Sequence, residues 1–476
     1  MSTATTGTGT HRGKVTSTVF AVGLMLFSMF FGAGNLIFPP MLGVESGEHF
    51  TPAIIGFILT GVALPTVTII AVAVSGSGVR DLASRAGAWF GLVFSVVAYL
   101  SIGSLYAMPR AAAIGYELGI ETTFGFSGAG WRLLFTSIFF AVAFALVIVP
   151  GTVADSLGKI LTPILLVLIA ILAIVAISKL HDPAIPATDD YTKNPLVAGI
   201  LKGYFTMDSI AALAFAIIVV SSFSSRGITN HRQIVKLCTI AAALAGTCLL
   251  VVYLALGYMG TRMPDKGSYS DGAELLARAS EITLGGVGNY IFSGVVLLAC
   301  LTTAVGLIAA SASFFNELVP KFSYRTWSIV FTLLGLTVAN LGLERILSIS
   351  GPVIGLIYPP AIALIGVTIL HMFVGKLNIP LTYRVAVTVA LIFSALDLLT
   401  QLGAPMDGVN NALGFIPLFQ DGMGWLIPTI IAAAIAFAID ANRNKRSKEA
   451  LVSGEIDESL QQSPEDRAAQ NSTTHA

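Results

Sequence analysis

Charge is what this sequence has least of. Of its 476 residues, 11% are Asp, Glu, Lys or Arg, against about 25% in an ordinary soluble domain. A soluble chain of this length splits into domains with charged surfaces, so a soluble enzyme is not expected. The formal net charge is zero, which argues against a polyanion partner, and no nucleic acid is expected. Cysteine is scarce. Cys238, Cys248 and Cys300 all sit in apolar runs, at spacings that fit neither a metal site nor a redox motif, and read as small buried hydrophobes. The six histidines form no pair at metal-ligand spacing. There is no Walker motif, so ATP is not expected to drive the protein directly.

Apolar residues are what the chain has in excess, at 55% of the total. They fall into runs at 17–43, 51–75, 89–118, 131–150, 157–179, 196–224, 234–260, 287–316, 325–341, 346–372, 383–400 and 412–439, numbered here as spans 1 to 12. A helical crossing of a bilayer takes about 20 apolar residues. In lipid every backbone polar group must be paired internally, so runs of this length are helices rather than barrel strands. The expected class is an all-α polytopic membrane protein with about twelve transmembrane helices, embedded in a lipid bilayer. With both termini in the cytoplasm, 17 of the 26 Lys and Arg residues fall on the cytoplasmic side, as the positive-inside bias requires. The loop at 261–286 and the short acidic one at Glu45–His49 then face outward. Residues 1–16 form a cytoplasmic N-terminal tail, and 1–11 and 441–476 carry no apolar pattern and read as disordered.

Span 1 contains Phe30-Phe31-Gly32-Ala33-Gly34-Asn35-Leu36-Ile37-Phe38-Pro39-Pro40. Two glycines, an asparagine and two prolines interrupt an otherwise apolar helix. Unwound backbone inside a bilayer is tolerable only where it lines a cavity. Its free carbonyls then suit a cation, and the N-terminus of the following half-helix suits an anion. The bland alternative is a small-residue packing face; Gly-x-Gly-Asn within one turn favours a break.

This motif resembles the signature of the bacterial branched-chain amino acid:cation symporter family. Twelve spans, the chain length and Gly203-Tyr204-Phe205-Thr206-Met207-Asp208 in span 6 fit the same family, and the resemblance extends over the whole chain apart from its two tails. It implies the five-plus-five inverted-repeat fold of sodium-coupled amino acid transporters, with helices 1 and 6 broken. Residues 17–180 (spans 1–5) would form the first repeat and 196–372 (spans 6–10) the inverted one. Spans 11 and 12, at 383–440, would be peripheral. The implied function is symport of leucine, isoleucine and valine with sodium across the bacterial inner membrane, with no covalent chemistry and no cofactor beyond the coupling ion.

In that fold span 6 must break opposite span 1, and Thr206-Met207-Asp208-Ser209 supplies residues that cap a new half-helix. Asp208 is an ionisable group near mid-membrane. It either caps that half-helix or binds substrate ammonium or the coupling cation, and in a proton-coupled relative it would carry the proton. The resemblance places the zwitterionic end of the substrate between the two breaks. Amides at Gly32, Ala33, Gly34 and Asn35 would take the carboxylate, and carbonyls at Phe205 and Thr206, with Asp208, the ammonium. Ala299-x-x-Thr302-Thr303 in span 8 is similar to one half of the sodium site of this fold, which carbonyls of Ser28 and Phe31 would complete. The alternative is that both threonines bond back to their own helix. Arg110 in span 3 should face the substrate cavity, where pairing with a carboxylate would lower its cost in the membrane; which carboxylate is not readable from the sequence. Gly355-Leu356-Ile357-Tyr358-Pro359-Pro360 in span 10 is expected to break its helix independently.

Overall fold

The computed structural model describes residues 8–76, 78–149, 152–264, 269, 271–375, 377–419 and 423–453. These residues are almost entirely helical. Nine helices among them are long and apolar enough to cross a membrane, ten when the bent pair in span 6 is counted as one crossing. The longest stretch, Gly34–Ser75, has 42 residues. At about 1.5 Å per residue that is twice the thickness of a hydrocarbon core. It reverses at Gly47, where φ is +51°, and so holds the end of span 1 and all of span 2. Span 9 is the 16-residue helix Tyr324–Ala339.

Both expected breaks are present. Span 1 consists of half-helix 1a, Thr8–Phe30, and half-helix 1b, Ala33–Ser46. Between them Gly32 is extended, with φ −98° and ψ −168°. Span 6 consists of half-helix 6a, Pro195–Tyr204, and half-helix 6b, Asp208–Ser224, bent by 42°. The residue before 6b is Met207, at φ +62°, a left-handed conformation that a side chain other than glycine's adopts uncommonly.

Several local expectations are corrected. Pro39 and Pro40 do not take part in the break; they lie inside 1b. The proline-rich motif of span 10 does not break its helix either, because Leu343–Val374 runs through Pro352, Pro359 and Pro360. Pro360 deprives the carbonyl of Leu356 of its helical donor. The hydroxyl of Ser394, on span 11, donates to that carbonyl at 3.0 Å, so this carbonyl is not left unpaired in the membrane. The loop at 261–286 carries a helix, Gly272–Leu284, whose N-terminus is capped by Asp271 accepting from the amides of Ala273 and Glu274, both at 2.9 Å. The tails are also shorter than expected. Helix 1a begins at Thr8, and the helix of span 12 continues to Ser453; residues 1–7 and 454–476 lie outside the described residues.

Candidate functional site

The two breaks face each other across a small cavity of about 80 Å³. Gly32, Gly34 and Asn35 from span 1 and Thr206, Met207 and Asp208 from span 6 line it. Span 3 contributes Tyr106 and Arg110, and span 8 contributes Thr303. The rest of the wall is apolar, with Ile102, Ile210, Phe215, Leu307 and Ile354 among its members. Ala33 opens 1b, so its backbone is at the break; its side chain lies outside the described residues. The first amides of 1b have no partner within the helix and point toward the cavity end of its dipole.

Glycine at both positions of the motif leaves room for close side-chain neighbours. A Cβ on Gly32 would come within 3.0 Å of Thr303 Oγ1, and one on Gly34 within 3.3 Å of Arg110 Nη2. The backbone of span 1 therefore sits directly against spans 8 and 3.

Asp208 is buried and links three elements. Asn35 Nδ2 donates to Asp208 Oδ2 at 2.5 Å and also to the hydroxyl of Tyr253 in span 7. Tyr253 in turn donates to Asp208 Oδ2 at 3.4 Å. Asp208 is the first residue of 6b, and Met207 holds the capping position with no side-chain cap bond. Capping is thus not what holds Asp208 in place. The carboxyl group is held by donors from spans 1 and 7. Tyr253 was not singled out by sequence reasoning, since a tyrosine in an apolar run carries no local signal of a partner 45 residues away. The same holds for Tyr358, whose hydroxyl donates to the carbonyl of Tyr204 at 2.8 Å, satisfying the frayed end of 6a.

The oxygens expected around sodium are brought together in part. Thr302 Oγ1 lies 2.9 Å from the carbonyl of Ser28 and 3.1 Å from that of Ala299. It is also 2.9 Å from the carbonyl of Leu298. One hydroxyl has a single proton, so this cluster holds more acceptors than it can satisfy. Thr303 Oγ1 meets the carbonyl of Met29 at 3.2 Å. Neither hydroxyl bonds the carbonyl of Phe31; the Phe31 ring stacks on Phe27 and packs against Tyr253. Back-bonding within span 8 and contact with span 1 thus coexist at Thr302.

Phe205 lies elsewhere. It lines a second recess with Tyr204, Tyr358 and Asp397, which shares Met207 and Ile354 with the central cavity. Those two side chains stand between the recesses. Arg110 also departs from expectation. Among the described residues, the ion pairs found include neither Arg110 nor Asp208. Arg110 Nη1 instead donates to the hydroxyl of Tyr106 at 2.8 Å. A π-helical stretch at Ser101–Leu105, with non-helical angles at Gly103 and Tyr106, re-aims both side chains into the cavity, a use such turns often have.

A bundle of membrane-length helices, two of them broken around a central cavity, has the architecture of the five-plus-five inverted-repeat fold. Solved structures agree on the fold. A manganese transporter of Eremococcus coleocola superposes with a TM-score of 0.58 at 14% identity, covering 90% of this chain and 97% of that one. Mhp1, a nucleobase-cation-symport-1 family transporter, gives 0.55 at 15% identity, covering 89% and 93%. The family described as branched-chain amino acid transport protein matches residues 15–443. The branched-chain amino acid permease BrnQ of Corynebacterium glutamicum is 43% identical over 425 residues, 89% of this chain and 96% of that protein. BrnQ of Bacillus subtilis is 38% identical over 436 residues, 90% and 98%. The chain belongs to the branched-chain amino acid transport protein family.

Proposed function

We propose that the protein is a secondary active symporter that carries leucine, isoleucine and valine into the cell together with sodium, through the bacterial cell membrane, with both termini cytoplasmic. Spans 1–5 and 6–10 act as the two repeats, and spans 11 and 12 are peripheral. The relatives named above are branched-chain amino acid permeases, and the apolar wall around Ile102, Phe215, Leu307 and Ile354 suits an aliphatic side chain. Such a wall separates neighbouring aliphatic groups by only about 1–3 kcal/mol, so the three substrates share one site. Sodium coupling is supported by one observation: the hydroxyls of Thr302 and Thr303 meet carbonyls of 1a at the point where span 1 unwinds. A cation there ties span 8 to span 1 and favours one conformation of the cavity, the differential affinity that coupling needs.

The test is leucine uptake into proteoliposomes against sodium concentration for the parent, Thr302→Ala and Thr303→Ala. Each substitution removes an oxygen and leaves helix propensity intact or better. The sodium needed for half-maximal uptake should rise about tenfold, within the range of coupled sites. Three superimposable curves would remove the ion from span 8. A second reading, proton coupling, rests on the buried Asp208 with no cationic partner among the described residues. Uptake that ignores sodium and follows an imposed proton gradient would select it.

A further inference from the structure

The central cavity is lined by one carboxylate, Asp208, and one guanidinium, Arg110. We propose that Arg110 is the ligand of the substrate carboxylate, an inference that rests on the amino acid reading above. A cavity with one acidic and one basic side chain is complementary to a zwitterion. An uncompensated arginine in a membrane span is costly and marks a substrate path by default. Among the described residues no carboxylate offsets that cost, since the ion pairs found there do not include Arg110.

The guanidinium is held for the purpose. Nη1 donates to Tyr106 one helical turn away at 2.8 Å, and Cζ lies 5.4 Å from the centre of the same ring. That fixes the plane of the fork and leaves Nη2 directed at span 1, where a Cβ on Gly34 would lie 3.3 Å from it. Gly34 is the second residue of 1b, so its amide is among those without a helical acceptor. The guanidinium and the amides of 1b therefore border the same small volume, and a planar fork matches a carboxylate in two-point geometry. Amides alone, as the sequence suggests, would give dipoles; Arg110 adds a full charge. Asp208, on 6b and lining the same cavity, is then the group for the ammonium. The substrate class this selects is a free α-amino acid with both charged groups intact.

L-leucine and L-leucinamide differ at the carboxylate and share the ammonium and side chain. Binding of both to the purified full-length protein in nanodiscs, in sodium, is measured for the parent, Arg110→Lys and Arg110→Gln. The parent should prefer leucine by tenfold or more. Arg110→Gln should weaken leucine by about that factor, leave leucinamide unchanged, and so erase the preference. Arg110→Lys should recover part of it. A merely structural arginine would weaken both ligands together, and a preserved leucine-to-leucinamide ratio in Arg110→Gln would overturn the assignment. Should the variants fail to fold, the parent still decides. Leucine, but not leucinamide, should shield Arg110 from phenylglyoxal, read by peptide mass spectrometry, and equal modification with and without leucine would refute the role. A parent that binds no leucine at all would instead sink the amino acid reading, and that result precedes any variant.

Discussion

Asp208 shows what a single residue can and cannot disclose. Its rank as an ionisable group in a membrane run was legible in the sequence, because any such group is costly there. Its partners were not. Asn35 and Tyr253 lie 173 and 45 residues away along the chain, and nothing local in either segment specifies that contact. The arrangement allows Asp208 to be a brace between spans 1, 6 and 7 or a binding group as well. The two uses separate by substitution. Asp208→Asn keeps an acceptor for Asn35 and Tyr253 but loses the charge, while Tyr253→Phe keeps the charge and loses one donor. We expect Asp208→Asn to reach the membrane at the parental level and to weaken leucine binding about 10- to 100-fold, the weight of a charge-assisted bond. Tyr253→Phe should cost less, about tenfold or below. Unchanged leucine affinity in Asp208→Asn would leave the residue with the bracing role alone.

At the scale of elements, the sequence reported where backbone is permissive more faithfully than where it bends. Glycines at Gly32 and Gly34 marked the break in span 1, and Thr206 to Asp208 marked that in span 6. The prolines misled in both spans 1 and 10. A proline is tolerated in a membrane helix where a neighbour supplies the donor it removes, as Ser394 on a neighbouring span does for the carbonyl of Leu356. The same reasoning applies to helix packing. Half-helix 1b and the helix of span 7, His231–Thr261, meet backbone to backbone. A Cβ on Gly43 would fall 2.0 Å from the carbonyl of Gly257, and one on Gly260 would fall 2.0 Å from that of Pro40. Neither neighbour is a movable side-chain tip. Gly260→Leu should therefore force the two helices apart, at a cost of about 1–3 kcal/mol or more, and lower the melting temperature of the purified protein by several degrees. Gly366 has no atom within 4 Å of its Cβ position, so Gly366→Ala should melt at the parental temperature or above. Equal melting of Gly260→Leu and the parent would mean that spans 1 and 7 do not touch in this way.

For the molecule as a whole, the helices themselves were legible because lipid imposes one solution on every apolar run, whereas the hand of the bundle in the membrane depends on Lys and Arg placement alone. Span 6 is the informative place to test both, since a helix pair bent by 42° is either one broken crossing or a segment that turns back to the side it came from. The segments on either side of it expose Ala184, before 6a, and Thr229, after 6b. Cys238 and Cys300 are buried and Cys248 is half-buried, so a variant with all three replaced by alanine supplies the background, provided it still takes up leucine. On it, Ala184→Cys should react with a membrane-impermeant maleimide in intact cells, and Thr229→Cys should react only after permeabilisation. The reverse pattern would keep the single crossing and invert the protein, placing the termini outside against the charge bias. Labelling of both sites from outside would do something different. It would make span 6 re-entrant, remove the opposed half-helices from the two sides of the cavity, and take with them the alternating exposure that symport requires.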